Sequence, residues 1–234
     1  TFKHSLSKSI MLNTHTIVYM AYCIDWVYLG YQHAAATLSA INKRRMNTKK
    51  IWTLVEATVP EGVDRSCIDI WFQDESRIGQ QGSITRVWHT KGERPRLNRQ
   101  QQFEYAYLYG AICPQNGNAV GLALPVANTE GMRLHLQEIS QVVPSGRHAV
   151  VVMDGAGWHQ QYLNLPNVSI VKLPAYAPEL NPAEQVWQWI KSRHLSNRCY
   201  SSYEQIIDAI CEAWNCFAAQ PDLVKSIGSR DWIL

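Results

Sequence analysis

Apolar and polar positions alternate from Cys67 to Asp74, with Ile68, Ile70 and Phe72 set against Asp69, Trp71 and Gln73. A period of two predicts a strand ending at Asp74. Ile84–His89 and Glu104–Cys113 are further strand candidates, and Pro114–Gly117 reads as a hairpin turn into a strand over Ala119–Pro125. The period then changes. Met132, Leu136 and Ile139 share one face of a helix capped by Asn128 or Thr129 and running through Val142. Ala149–Met153 is continuously apolar, as suits a central parallel strand buried on both faces, and it ends at Asp154. Val168–Leu173 is the next strand, stopped by Pro174. A helix from Pro182 to about His194 carries Val186, Trp187 and Ile190 on one stripe, and a last helix from about Ser202 to Ala219 turns Ile206, Ile210, Trp214 and Phe217 inward. Hairpins first, then strand–helix–strand–helix, predict an α/β layer fold around a mixed sheet.

Residues 1–62 have a different texture and read as a divergent N-terminal segment. Thr16–Tyr31 is aromatic and apolar but holds Asp25, so it is not clean enough for a signal peptide or a spanning helix. Ala34–Ile41 is a small-residue helix former, followed by a basic cluster of Lys43, Arg44, Arg45, Lys49 and Lys50. That cluster suits either a solvated helix face or a phosphate backbone. No helix-turn-helix pattern stands out, and Pro60-Glu61-Gly62 punctuates the boundary with a domain over 63–234.

Composition narrows the class. With 46% apolar residues, 18% charged, nine Trp and eleven Tyr in 234 residues, the chain is too apolar to be disordered. The formal charge of +3 is compatible with nucleic acid without demanding it. None of the six cysteines forms a CxxC pair or a zinc-finger spacing, so reduced thiols and a cytoplasmic, nucleoid-associated location with no membrane role are expected.

Three carboxylates occupy special positions. Asp74 and Asp154 each follow a predicted strand, where open α/β sheets build their sites, and Glu184 lies in the first turn of a helix. If the strands are neighbours, the three converge, and hard divalent cations relieve the repulsion. Each acid also has an ordinary role open to it. Asp74 can serve as a turn former before Ser76, and Asp154 as the cap of a short helix near Gly157. Asn181-Pro182-Ala183-Glu184 spells an N-terminal capping box. His159 can stack in a core beside Trp158. From Arg86 to Arg99 the only acid is Glu93, a composition that favours a phosphate-facing surface.

From about Asp64 onward the chain resembles the DDE transposase domain of the IS630 group, relatives of the Tc1/mariner elements. The resemblance rests on an ordered series of motifs. These are Trp71-Phe-Gln-Asp-Glu-Ser-Arg77 with Gly79, Val87-Trp-His-Thr-Lys-Gly-Glu-Arg-Pro95, Tyr109-Gly-Ala-Ile-Cys-Pro114 and Val152-Met-Asp-Gly-Ala-Gly-Trp-His159. The strongest is Leu173-Pro-Ala-Tyr-Ala-Pro-Glu-Leu-Asn-Pro-Ala-Glu-Gln-Val-Trp187, with Asn197-Arg-Cys199 after it. The resemblance implies an RNase H-like fold with a mixed central sheet and flanking helices. It places Asp74, Asp154 and Glu184 on the family's catalytic acids, which bind two Mg²⁺ ions (Mn²⁺ substituting) to cut transposon ends and join the freed 3′-OH to target DNA, preferentially at TA. His159 matches a positional histidine, and Asn181 supports the third acid. Arg86, Trp88, Lys91, Arg94, Arg96 and Arg99 fall in a region implied to touch double-stranded DNA, and a homodimer on DNA is implied by the family.

The chain departs from the family in three ways. Pro174-Ala-Tyr-Ala-Pro178 replaces the usual Pro-Pro-Tyr-Ser-Pro, Gly155 stands where Asn or Arg is common, and Glu184 follows Asp154 by only 30 positions (184 − 154), the shortening falling in Trp158–Pro166. No acid is lost. Residues 1–62 do not supply the helix-turn-helix units that family members carry, which fits a truncated or altered DNA-binding region, a frameshifted copy, or a split-gene arrangement. The expectation is therefore a DDE transposase catalytic domain. A catalytically inactive, DNA-binding remnant is the alternative, and an unrelated Mg²⁺-dependent phosphoesterase is a more distant third.

Overall fold

The structure is a computed structural model that describes residues 18–19, 48–82, 84–88, 90–91, 96, 98–155, 165–173 and 181–229. Its centre is a six-stranded sheet. In chain order the strands are β1 (Val18–Tyr19), β2 (Ile68–Gly79), β3 (Tyr105–Cys113), β4 (Asn118–Leu124), β5 (His148–Met153) and β6 (Val168–Lys172), and across the sheet they run β1-β4-β3-β2-β5-β6. β2, β3 and β4 form an antiparallel meander, while β5 and β6 lie parallel to β2. This antiparallel half joined to a parallel half is the RNase H-like arrangement. The hairpin turn works as the sequence predicts: Gly117 takes φ 81°, and its N–H donates to the Cys113 carbonyl at 2.8 Å.

Strand alternation sorts the core into two halves. Even-numbered positions of β2 and β5 (Ile68, Ile70, Phe72, Val150, Val152) face one side, and Trp71, Ala149, Val151 and Met153 face the other. On that second side lies α2 (Thr129–Val142), whose Met132, Leu136 and Ile139 are buried and whose first turn is capped by Asn128 Oδ1, accepting from the Gly131 N–H at 2.8 Å. The first side is covered by α1 (Thr48–Thr58), α3 (Ala183–Ile190), α4 (Tyr203–Ala218) and α5 (Pro221–Gly228). Val55, Val186, Trp187, Ile190, Trp214, Phe217 and Val224 all join the same core there. The helix α1 therefore packs on the sheet through Val55, and Thr58 closes it with a carbonyl that accepts from Ser169 Oγ at 3.2 Å.

Five expectations need correction. The strand proposed to end at Asp74 runs on to Gly79, because beyond its last β5 partner at Phe72 it stays paired with β3 as far as Gly79↔Tyr105, so Asp74 lies within β2 and forms no turn before Ser76. Residues 84–88 of the proposed Ile84–His89 strand have no regular structure, and Ile84 and Trp88 are 63% and 100% exposed. A strand there has no core to face, and the backbone is held by side-chain amides instead. The helix proposed from Pro182 to His194 is α-helical only over Ala183–Ile190 and widens into a π-turn over Lys191–Leu195, closed by Asn197 in the left-handed region at φ 59°. Pro182, not Asn181, takes the cap position of that helix. The chain does not finish its helices at Ala219: Pro221 at the first helical position starts α5. The Thr16–Tyr31 run, the Ala34–Ile41 helix, Lys43, Arg44, Arg45, Arg94, the segment near Gly157 and His159 lie outside the described residues, apart from the backbone of Val18–Tyr19.

The long connection between β2 and β3, residues 80–104, is tied at its base by three amide side chains. Asn197 pairs with the Thr85 backbone, accepting its N–H and donating to its carbonyl, both at 3.1 Å. Gln100 does the same for Tyr200, at 2.6 and 2.7 Å. Gln80 accepts from the Glu104 N–H and donates to the Tyr200 carbonyl, both at 3.1 Å. Each side-chain amide thus imitates a strand rung. Five cysteines (Cys67, Cys113, Cys199, Cys211, Cys216) are free thiols. No helix among the described residues is long and apolar enough to cross a membrane.

Candidate active site

The site is built from one row of the sheet. β2 and β5 pair in parallel up to Phe72↔Val152; β2 continues beyond that point on β3 and carries Asp74 two positions on, while β5 ends at Met153 and Asp154 directly follows it. Asp74 continues the series Ile70–Phe72, which faces the α3–α4 side. Across β3 and β4 the row continues through Gly110, opposite Asp74, and Gly121, opposite Gly110. The two glycines leave a trough in which Trp187 of α3 and Trp214 of α4 lie, with ring centroids 6.1 Å apart. A Cβ on Gly110 would stand 2.5 Å from Trp187 Cη2, and one on Gly121 would stand 2.5 Å from Trp214 Nε1.

Asp74 is half-buried at the edge of this trough. Its Oδ2 accepts a hydrogen bond from Trp187 Nε1 at 2.8 Å. Burial pushes the Asp74 carboxyl up to about 7; the indole and the Glu75 amide oppose the rise, while the negative charges of Glu75 and Glu184 add to it. Glu184, exposed in the first turn of α3, thus lies within electrostatic range of Asp74. Lys191 faces both acids from the start of the π-turn. Burial draws its ammonium below the usual range, against the favourable charges of Glu184 and Asp74. Asp154 is the first residue past β5 and is exposed. Asp74 and Glu184 are therefore within electrostatic range of each other, and Asp154 follows the end of β5, the parallel neighbour of β2. Among the described residues, however, no three His, Cys, Asp or Glu side chains stand close enough to hold a metal ion.

Asn181 does more than the capping pattern foretells. It is buried; its Oδ1 accepts from the Ala183 N–H at 3.1 Å, and its Nδ2 donates to the Gln73 carbonyl at 2.9 Å. One side chain thereby fastens the start of α3 to β2 next to Asp74. Arg86, Trp88, Lys91, Arg96 and Arg99 are all exposed on the 80–104 connection. Sequence reasoning missed two participants. Trp187 reads as one more core residue of an apolar stripe, although a buried indole N–H needs an acceptor, and that need was the available signal. Lys191 lies seven positions after Glu184, two turns along the same helical face, and that spacing was equally readable.

A sequence model of the DDE superfamily endonuclease family matches residues 69–207. A relative from Sinorhizobium fredii (strain NBRC 101917 / NGR234), the uncharacterized protein y4pE/y4sA, is 45% identical over 130 residues, 55% of this chain and 96% of the relative. Among solved structures, the mariner Mos1 paired end complex with Mg is similar at a TM-score of 0.55 and 16% identity, over 85% of this chain and 62% of that one. The Mos1 paired end complex with Mn gives 0.51 and 16%, over 86% and 67%. Those likenesses are of fold. The chain belongs to the DDE superfamily endonuclease family.

Proposed function

We propose that this domain cleaves DNA phosphodiesters at transposon ends and transfers the freed strand to target DNA, with Asp74, Asp154 and Glu184 as its catalytic, metal-binding acids. The observation that supports the reading is the placement of acids around β2: Asp74 lies two positions past the last β2–β5 pair and within electrostatic range of Glu184, and Asp154 directly follows β5, the parallel neighbour of β2. A half-buried carboxyl with negative neighbours is a site short of positive charge, and its all-oxygen donor set suits Mg²⁺, with Mn²⁺ able to substitute. When bound, a pair of such ions supplies a nucleophile at neutral pH and stabilises the attacking and leaving oxygens of an in-line displacement. The protein's own part is positional. Asn181 fixes the height of α3 and hence of Glu184 over β2, Lys191 offsets charge beside Asp74 and Glu184, and the exposed Arg86, Lys91, Arg96 and Arg99 suit phosphate contact. Arg94 and His159 join this proposal as a phosphate contact and a positional histidine. The DNA is double-stranded, with TA as target, and the working form is a homodimer on DNA.

Nicking of supercoiled plasmid in Mg²⁺ or Mn²⁺ tests the reading, beside folded Asp154→Asn and Glu184→Gln controls. Metal-dependent nicking that both substitutions abolish is expected. Undiminished nicking by folded Glu184→Gln would overturn the assignment of the third acid. DNA binding without nicking in wild type, unchanged by either substitution, would favour the inactive remnant.

A further inference from the structure

The buried indole of Trp187 has a use beyond filling the core. Its Nε1–H donates to Asp74 Oδ2 at 2.8 Å, which occupies one acceptor position of the carboxylate and leaves Oδ1 and the remaining lone pair of Oδ2 to other partners. The direction of that N–H is fixed on every side. Trp187 is only 5% exposed and lies in van der Waals contact with the floor at Gly110, the residue directly opposite Asp74 in β3. Trp214 flanks it at 6.1 Å with 39° between the rings, and Val186 and Ile190 on either side of it in α3 are buried in the same core. The acceptor, by contrast, is a short side chain on a strand, whose carboxylate also accepts from the Glu75 amide.

We infer that Trp187 is a positioning residue that holds the Asp74 carboxylate in the orientation in which it receives a divalent cation, acting as an outer partner of a metal ligand. The inference rests on the proposed metal-binding role of Asp74. Outer partners of this kind orient the ligand and raise metal affinity, and removing one costs about 10–100-fold in binding. The sequence spacing serves the same end. Glu184 and Trp187 are three positions apart on α3, so the helix that carries one acid also carries the donor that aims another. A displacement of α3 would disturb both acids together.

The test measures Mn²⁺ binding by electron paramagnetic resonance of the free ion, with the full chain and without DNA. Four proteins are compared: wild type, Asp74→Ala, Trp187→Phe, and a chain with the sulfur isostere of tryptophan, benzothienylalanine, at position 187. The isostere keeps the ring and loses only the N–H, so a role confined to packing would leave its affinity unchanged. The expected result is Mn²⁺ binding by wild type that is lost in Asp74→Ala and about 10–100-fold weaker in both position-187 variants. The isostere should keep the wild-type urea midpoint. In ¹H–¹⁵N spectra of the metal-free protein, the Trp187 indole resonance should move in Asp74→Ala. Wild-type affinity in the isostere would overturn the positioning role while leaving the metal site standing. A wild type that binds no Mn²⁺, or an Asp74→Ala that binds normally, would overturn the metal reading of Asp74 and this role with it.

Discussion

Replacing Gly110 with alanine puts a methyl group where two indoles already stand. The new Cβ would lie 2.5 Å from Trp187 Cη2 and 2.7 and 2.8 Å from Trp214 Cζ3 and Cη2. Carbon atoms prefer about 3.5–4.0 Å, so the rings must withdraw by about 1 Å or the strand must bow. Both rings are almost wholly buried, and neither is a flexible chain end. Overpacking of this kind costs about 1–3 kcal/mol, which for a domain of this size lowers Tm by about 2–12 °C. A 1 Å retreat of Trp187 would also stretch its 2.8 Å bond to Asp74 beyond hydrogen-bonding distance. Gly121→Ala is the matched control, because the three atoms nearest its Cβ all belong to Trp214, at 2.5, 2.6 and 2.8 Å. Urea denaturation of both variants should give similar losses of stability, while the indole resonance of Trp187 moves far more in Gly110→Ala. Adding Trp187→Phe to Gly110→Ala removes the atom in closest conflict, so the double variant should be more stable than the sum of the two single changes by about 1 kcal/mol. A Gly110→Ala protein within about 0.5 kcal/mol of wild type would refute the argument, since that is the range of a surface substitution.

Two further outcomes follow from groups outside the site. Arg147 holds Asp69 with Nε and Nη2 at 2.9 and 2.6 Å, and the Asp69 side chain is 2% exposed, so Arg147→Ala should cost about 3–5 kcal/mol in urea denaturation by stranding a buried carboxylate; a loss below about 1 kcal/mol would contradict this. His135 is fully buried with no described partner for either ring nitrogen, and burial draws its pKa down to about 3. The unfolded chain takes up that proton near 6.5, so the stability His135 confers in its neutral form is complete above about 6.5 and is lost as the pH falls towards 3. Between pH 6.5 and 5 the loss is about 2 kcal/mol. Asp74, raised to about 7, acts in the opposite sense over part of that range. The informative quantity is therefore the difference in slope between wild type and His135→Leu, and equal slopes would refute the assignment.

The parts of the fold that could be read from sequence were those in which local pattern and burial agree. The start of β2, the end of β5 before Asp154, the Asn128 cap and the Gly117 turn each follow from two or three neighbouring residues that face a core, whereas the continuation of β2 past Asp74 to Gly79 depends on its distant partner β3. Ile84–His89 has strand-forming residues but no regular alternation, and β-branched or aromatic residues make a strand only where a core exists to bury one face. Here Ile84 and Trp88 point into solvent. The helix α5 was hidden by the Ala219–Gln220 break, although Pro221 announced it. At the site, the position of Asp154 just past β5 and of Glu184 in the first turn of α3 was legible because strand ends and helix starts are local features, while the place of Asp74 inside β2 was not. The Trp187–Asp74 bond was not, since its partners are 113 positions apart and meet only because α3 lies over β2. Nor does any local pattern say how far Asp154 stands from the other two acids.

The three amide rungs at the foot of the 80–104 connection govern how that excursion can change. An unbraced loop of about 25 residues costs about 3 kcal/mol of closure entropy, and doubling it adds only about 0.6 kcal/mol. Length is thus cheap, and what an unbraced loop lacks is direction. With Gln80, Thr85 and Gln100 clamped to Glu104, Asn197 and Tyr200, the two ends of the tip leave the body at fixed places whatever lies between 86 and 99. Insertions and deletions there would alter the reach of the arm without altering its bearing. That leaves a lineage of such proteins free to vary the tip, and with it the surface the tip contacts, while the sheet and its acids stay as they are.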